Sequence, residues 1–167
     1  DWALQFTGAG VSHARVLDTV LKEYLKGLSP RLSSLSVTGV SALEADIRRE
    51  GDTLAITGTY RMEGASLTAQ DMPLSIQAIT ANVPFALRYP SRGLPASLAP
   101  RPGFVRLQGL QRRRLTVEDL RIPLVISENR LEVPEPVAVP FFGGQVHLYG
   151  FQVDDVLFPA RYRFGVK

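Results

Sequence analysis

The spacing of apolar side chains near the start of the chain predicts one amphipathic helix. Residues 2–6 are compatible with a short strand, and Ser12 follows as a plausible helix N-cap. Beyond it, apolar residues recur at the spacing of a single helical face, at Leu17, Val20, Leu21, Tyr24, Leu25 and Leu28. Gly27 and Pro30 end this pattern. We therefore predict a helix near residues 12–27, with an apolar side that needs a sheet to cover.

After Pro30 the period of the pattern changes to two, which indicates strands. Apolar and charged residues alternate over 43–48 and apolar residues alternate again over 54–62, with a turn signal at 50–52 between them. This pattern predicts a hairpin with one apolar and one solvated face. Residues 73–89 continue in extended style. Further strand-like runs follow at 104–107, 115–120, 124–126, 130–133, 145–149, 151–156 and 161–166.

The predicted fold is mainly β, of the α+β class. The strands are expected to form a curved antiparallel sheet, arranged either as an open β-groove or as a β-sandwich, with the single helix at the N-terminal end. The length of 167 residues fits one β-rich domain spanning 1–167. The chain opens at Asp1, and no signal peptide or membrane span is visible in it. We interpret it as a fragment of a larger protein.

A proline-rich stretch divides the strand-forming part of the chain. Residues 90–103 contain four prolines and two glycines, which predicts a loop. The segments 67–76 and 115–126 on either side of it resemble each other, with Leu-Thr-x-x-Asp followed by Pro-Leu-x-Ile in both. Either they are two copies of a repeated strand–turn–strand unit, or the similarity arose by chance.

Composition excludes several classes of function. The chain has no cysteine, which rules out disulfides, thiolate metal sites and cysteine nucleophiles. The net charge is only +3, and the basic residues are scattered apart from the run Arg112–Arg114 and the pair at 48–49. Nucleic-acid-binding proteins gather basic residues on one face, so we expect no nucleic acid partner. The run Arg112–Arg114 is either a solvated turn or a contact for phosphate groups.

No arrangement of polar residues indicates catalysis. Residues 8–10 (Gly-Ala-Gly) resemble the start of a dinucleotide-binding turn, but the third glycine of that fingerprint would fall at His13. Neither His13 nor His147 has the spacing of a metal ligand, and Asp154 and Asp155 point to opposite faces of a strand. We predict that the protein is not an enzyme and that it holds no metal and no cofactor.

The remaining candidate surface is the apolar side of the strands. An alternating pattern suits a filled core and an open ligand groove equally well, so both interpretations stay open at this point. If the surface is a groove, the candidate lipid-contacting residues are Ile76, Ile79, Val83, Phe85, Leu87, Phe142, Val146, Leu148, Phe151, Val153 and Phe164.

The C-terminal part of the chain resembles the AsmA-like bacterial envelope proteins, a group that includes the TamB-like and YdbH-like proteins. The resemblance lies in the strand at 130–133 and in the stretch 139–148, where the turn Phe142-Gly143-Gly144 leads into an alternating strand. The run Gly51–Gly58 and the Leu-Ser-Val-Thr-Gly strand at 35–39 are similar in style.

This resemblance implies a periplasmic segment of an envelope protein whose inner-membrane anchor lies outside the fragment. Its expected function is to bind phospholipid, or another hydrophobic ligand, and to guide it along a hydrophobic β-groove between the membranes, in support of outer-membrane biogenesis. The expected protein partners are envelope proteins or further repeats of the same chain. The alternative is a non-catalytic β-sandwich module with a structural or protein-interaction role and no ligand.

Overall fold

The computed structural model describes residues 1–16, 34–71, 73–89, 101–141, 143–154 and 161–166. Within these ranges there is one short helix, α1 (His13–Val16), and ten strands. The strands are β1 (Trp2–Ser12), β2 (Leu35–Glu50), β3 (Thr53–Ala69), β4 (Leu74–Tyr89), β5 (Gly103–Arg112), β6 (Leu115–Ser127), β7 (Arg130–Glu132), β8 (Val137–Phe141), β9 (Gly144–Asp154) and β10 (Arg161–Val166).

All ten strands belong to one open, curved sheet. Nine of them follow the order β1-β2-β3-β4-β5-β6-β7-β9-β10, and β8 pairs with β9 beside this path. The pairings are antiparallel, apart from a short parallel contact between β4 and β6. The prediction of a mainly β protein with a curved antiparallel sheet is confirmed. The described strands form a single sheet and not the two packed sheets of a sandwich.

The predicted hairpin at 43–62 is the central β2–β3 pair. Gly51 has a left-handed φ of 57° and turns the chain between the two strands. The register places Leu4 of β1 beside Ile47, Ile47 beside Ile56, and Ile56 beside Leu87 of β4. We call the side of the sheet that carries these four residues the apolar face, and the opposite side the polar face.

Left-handed residues interrupt four consecutive strands. They are Gly10 in β1, Gly39 in β2, Gly64 in β3 and Ala78 in β4. All four lie where the pairing register shifts, which identifies them as β-bulges. Bulges bend a strand and increase its twist, so this series explains why the sheet curves instead of lying flat.

Gly39 is required for two reasons. Its φ is +102°, and a Cβ at this position would lie 2.8 Å from the Cα of Ala65, a fully buried residue of β3. Any side chain would therefore push β2 and β3 apart at the bulge.

The sheet forks where β5 begins. The β4–β5 ladder ends at Asn82 beside Phe104. Continued by two residues, the same register would set Pro84 opposite Pro102, and neither proline has an N–H to donate. Beyond this point β6 takes the place of β5 and pairs directly with β4, at Phe85 beside Ile126.

Asn129 closes the far end of this fork. It follows Glu128 in a tight β6–β7 turn, where both residues have positive φ. Its carboxamide oxygen accepts a hydrogen bond from the Arg88 N–H (3.2 Å), and its amide group donates one to the Arg88 carbonyl. Asn129 is only 4% exposed, and its buried carboxamide makes the two backbone hydrogen bonds to β4 that a neighbouring strand would otherwise make.

Three predicted segments differ from the structure or lie outside it. Helix α1 begins directly after Ser12, but residues 17–33 are outside the described part, so the predicted amphipathic helix is not shown beyond its first turn. Residues 8–10, whose Gly-Ala-Gly sequence resembles the start of a dinucleotide-binding turn, belong to β1. Of the two similar segments, 67–76 passes around the β3–β4 turn, whereas 115–126 lies within the single strand β6.

The packing at Gly58 gives a stability prediction. A Cβ there would meet the Glu44 carbonyl oxygen and lie 2.6 Å from Cζ of Phe85. We expect Gly58→Ala to lower the free energy of unfolding by about 1–3 kcal/mol through overpacking, measured by urea denaturation with far-UV circular dichroism. The matched control is Gly109→Ala, where the nearest atom, Cβ of Gln77, is 4.0 Å away. Equal destabilisation by both substitutions would contradict the packing argument.

Candidate functional site

One line of side chains crosses the apolar face at right angles to the strands. Each of its members is the direct ladder partner of the next. The line, which we call the transverse row, consists of Phe6 (β1), Ala45 (β2), Gly58 (β3), Phe85 (β4), Ile126 (β6), Leu131 (β7) and Val153 (β9). Paired residues of neighbouring strands project to the same side of a sheet. The row therefore forms a continuous apolar band across seven strands.

The lack of a side chain at Gly58 allows close packing within the transverse row. Because Gly58 has no side chain, the Phe85 ring can reach over it, which is why a Cβ at Gly58 would be so close to Cζ of Phe85. The aromatic ring of β4 thus covers the backbone of β3.

Five of the predicted lipid-contacting residues lie on β4. Val83, Phe85 and Leu87 alternate regularly onto the apolar face. Ile76 and Ile79 are three residues apart, a spacing that would normally place them on opposite sides. The left-handed Ala78 between them corrects the phase, and the two residues face Leu67 and Ala65 of β3 respectively.

The remaining predicted residues lie on or near β9. Phe151 and Val153 lie in the C-terminal half of β9, on either side of Gln152. Val153 belongs to the transverse row, as Phe85 does.

Val146 and Leu148 lie beyond Gly150, whose φ is 62°, and pair with β8. Gly150 preserves the phase as Ala78 does in β4, because Leu148 pairs with Val166 of β10 and Val153 pairs with Tyr162, four residues earlier on the same side of that strand. The register therefore places Val146 and Leu148 on the apolar face together with Phe151 and Val153.

The predicted Phe-Gly-Gly turn joins β8 and β9. Gly143 has a φ of 82°, and Gly144 is the first residue of β9, paired with Phe141. Phe142 lies outside the described residues, and Phe164 is placed only as a member of β10.

The apolar face is open toward β1. Near the middle of the sheet, Ala81, Val83 and Leu124 form a small buried cluster, but among the described residues no large side chain is less than 2% exposed. On β1, Trp2 is 49%, Leu4 56% and Phe6 45% exposed. A filled core predicts buried aromatic residues at these positions, whereas an open ligand surface predicts exposed ones.

These three β1 residues were not among the predicted site residues. The signal was present, because Trp2-Ala3-Leu4-Gln5-Phe6 alternates with a period of two. The sequence could not show that this segment extends the apolar face of the β2–β3 hairpin, since β1 and β2 pair residues that are 28 to 47 positions apart in the chain.

His13 ties α1 to the apolar face. Its Nε2 lies 2.9 Å from the Tyr60 hydroxyl, and Tyr60 packs against the small buried cluster. Its Nδ1 is buried and has no hydrogen-bond partner within the described part of the chain. The histidine thus contacts the apolar face through an interaction that the sequence does not reveal.

A cavity of about 630 Å³ extends across strands β1 to β4. It is lined by residues 5–7 of β1, 44–46 of β2, 57–59 of β3 and 84–86 of β4, with Arg101, Pro102 and Ile126 beside them. The neighbouring apolar-face side chains Leu4, Ile47, Ile56 and Leu87 do not line it, whereas Gln5, Asp46 and Thr57 do. Five members of the transverse row also line it, namely Phe6, Ala45, Gly58, Phe85 and Ile126, so the cavity includes the predicted lipid-contacting residue Phe85.

Asp154 joins three strands at the edge of the sheet. Its carboxylate accepts hydrogen bonds from Gln152 Nε2 (2.7 Å), Arg130 Nε (2.9 Å) and Arg163 Nη2 (3.1 Å). The Gln152 hydrogen bond and then the Arg130 guanidinium lower the pKa of the Asp154 carboxyl below its ordinary value. This arrangement fixes β7 and β10 to β9, next to Val153 of the transverse row.

Among the described residues, no cluster of three or more histidine and carboxylate side chains could hold a metal ion. In the same part of the chain, no helix has the length and hydropathy needed to cross a membrane.

Comparison with known proteins gives no relative. No family model, no curated protein and no solved structure matches the chain. The AsmA-like resemblance therefore rests only on the residues quoted for it.

The Asp154 network predicts a pH dependence of stability. The folded-state pKa of Asp154 is lowered, so its stabilising contribution is present above the ordinary aspartate pKa of about 3.9 and is lost as the pH falls through the folded-state value. We expect Asp154→Asn to be less stable than the wild type at pH 6–7, with the difference shrinking below about pH 4. Urea denaturation across this pH range measures it.

The control for this prediction is Asp46→Asn, which removes an exposed carboxylate of the polar face. A pH-independent gap between wild type and Asp154→Asn, or the same pH profile in the control, would contradict the role assigned to the Asp154 carboxylate.

Proposed function

We propose that this chain is a periplasmic segment of an envelope protein that binds phospholipid on the apolar face of its sheet and guides it between membranes. The observation that carries this proposal is the transverse row, which ends at β1 among three half-exposed apolar side chains. The periplasmic location and an inner-membrane anchor outside this segment follow from the AsmA-like resemblance.

The dimensions of the row suit an extended acyl chain. Seven strands at about 4.8 Å spacing span roughly 29 Å. One leaflet of a bilayer has a hydrocarbon depth of about 15 Å, half of the usual 30 Å core. An acyl chain laid across the strands therefore finds apolar contact along its whole length.

The energetics favour transient binding of a lipid over tight binding. Each buried methylene contributes about 0.8 kcal/mol, so covering about eight methylenes stabilises the complex by roughly 6 kcal/mol. Association itself costs about 4–15 kcal/mol in lost freedom. A single chain lying on an open surface is thus held weakly, as a lipid that moves along the sheet must be. The polar headgroup stays in water beside the band.

A second candidate function is a protein-interaction module without ligand. It is favoured by the outer edge of β1, because the strand from Trp2 to Ser12 contains neither a charged residue nor a proline. Edge strands are usually protected by such residues, and an unprotected edge accepts a further strand. Such a strand would come from envelope proteins or from further repeats of the same chain.

Trp2 makes the lipid proposal directly testable. It is the only tryptophan of the chain and lies on the apolar face in register with Leu54. We expect brominated monomeric lysophosphatidylcholine to quench Trp2 fluorescence, and phospholipid to appear in an organic extract of the folded protein by mass spectrometry. Replacing Leu4 and Phe6 together by Gln should weaken the binding about tenfold, because two apolar contacts are lost.

The matched control is the double variant Gln5→Ser/Thr7→Ser, which alters the polar face of the same strand and should bind lipid as the wild type does. If the wild-type protein shows no quenching and yields no phospholipid after incubation with vesicles, the lipid proposal fails and the interaction module becomes the better account.

A further inference from the structure

We propose that the loop Arg112–Arg114, at the tip of the β5–β6 hairpin, docks onto the phosphate groups of an anionic lipid surface. We call these three residues the arginine tip. The inference rests on the proposed function, because it identifies which end of the apolar face meets the membrane.

The tip is held in place by the backbone. Arg113 and Arg114 form the turn between β5 and β6, and Arg113 has a left-handed φ of 53°. The Arg113 N–H donates a hydrogen bond to the carbonyl of Pro73 (3.3 Å), which fixes the tip against the β3–β4 turn. All three arginines are exposed, so their guanidinium groups are presented on a fixed loop.

The charges of the tip are not neutralised by the protein. Arg61, Arg106, Arg130 and Arg163 each pair with a carboxylate of the sheet. In contrast, within the described ranges no side chain of the arginine tip makes an ion pair or hydrogen bond. Three adjacent guanidinium groups, each with five N–H donors, thus remain available for phosphate oxygens.

The surroundings of the tip favour a lipid surface over a nucleic acid. Arg112 pairs with Leu74 on one side and Leu115 on the other, so it is the last position of the apolar face in β5. A cation bordering apolar side chains matches the boundary between headgroups and acyl chains. Nucleic-acid surfaces instead spread basic residues along a face with interleaved aromatic residues for stacking.

The opposite end of the apolar face differs in charge. There, Arg49 donates through Nε to the Gly51 carbonyl, and Asp1 accepts a hydrogen bond from the Gly51 N–H. Glu50 and Asp52 flank the same turn. Acidic and basic groups are thus mixed at this end, whereas the arginine tip places three exposed guanidinium groups side by side.

The test measures sedimentation of the full chain with phosphatidylglycerol vesicles and with phosphatidylcholine vesicles. The variant is Arg112→Gln/Arg114→Gln, and the control of equal charge change is Arg48→Gln/Arg49→Gln. We expect the wild type to prefer the anionic vesicles, increasingly so at low salt. The tip variant should bind them about ten- to thirty-fold more weakly, while the control stays within about twofold of the wild type.

Several results would overturn this inference. Equal losses in both variants would reduce it to an effect of net charge, and wild-type binding by the tip variant would exclude the tip. Tip-dependent binding to duplex DNA without vesicle binding would assign the loop to nucleic acid instead. Quenching of Trp2 by brominated lysophosphatidylcholine reports the apolar face separately. Failure of tip docking with quenching intact therefore leaves the proposed function standing.

Discussion

The phase of side-chain alternation is the constraint on which the rest of this structure depends. Strands of sixteen or seventeen residues, such as β2 and β3, are long enough to curve. Curvature requires bulges, and each bulge shifts the alternation so that the next apolar residue can point to the opposite face. The left-handed residues resolve this conflict. Ala78 keeps Ile76 and Ile79 on one face, and Gly39 packs against Ala65 without a side chain. Because this phase is preserved along β4, the apolar face continues from Phe85 in the transverse row to Ile79 and Ile76.

This constraint explains which parts of the molecule could be predicted from the sequence. The β2–β3 hairpin follows from local alternation and from the turn at Gly51, and the extended stretch that contains Phe85 follows from the same pattern. The strands that pair with β4 could not be predicted. The fork depends on Pro84 and Pro102, which are distant in the chain and would face each other if the β4–β5 ladder continued. The hydrogen bonds between the Asn129 side chain and β4 could not be predicted either. An Asn after Glu at a turn is common, and its partner is a backbone group of another strand.

The candidate site was predicted in part for the same reason. Alternation located the apolar side chains of β4 and β9, but the exposure of Trp2, Leu4 and Phe6 depends on β1 joining the sheet at its edge. The cavity is lined both by apolar members of the transverse row, such as Phe6 and Phe85, and by the polar residues Gln5, Asp46 and Thr57. The arginine tip lies at the end of the apolar face in β5, so the two proposals place acyl-chain contact and phosphate contact at different positions on one face of the sheet.

The fork between β4, β5 and β6 has a mechanical consequence. On one side of Gly103, three strands share continuous ladders, whereas on the other side β4 and β6 are joined by only two residue pairs and by the Asn129 carboxamide. This junction between β4 and β6 is the most flexible part of the sheet, because few hydrogen bonds resist separation of the two strands. Bending of the sheet should concentrate there. The width of the apolar face would then change while the long ladders on either side move as rigid bodies.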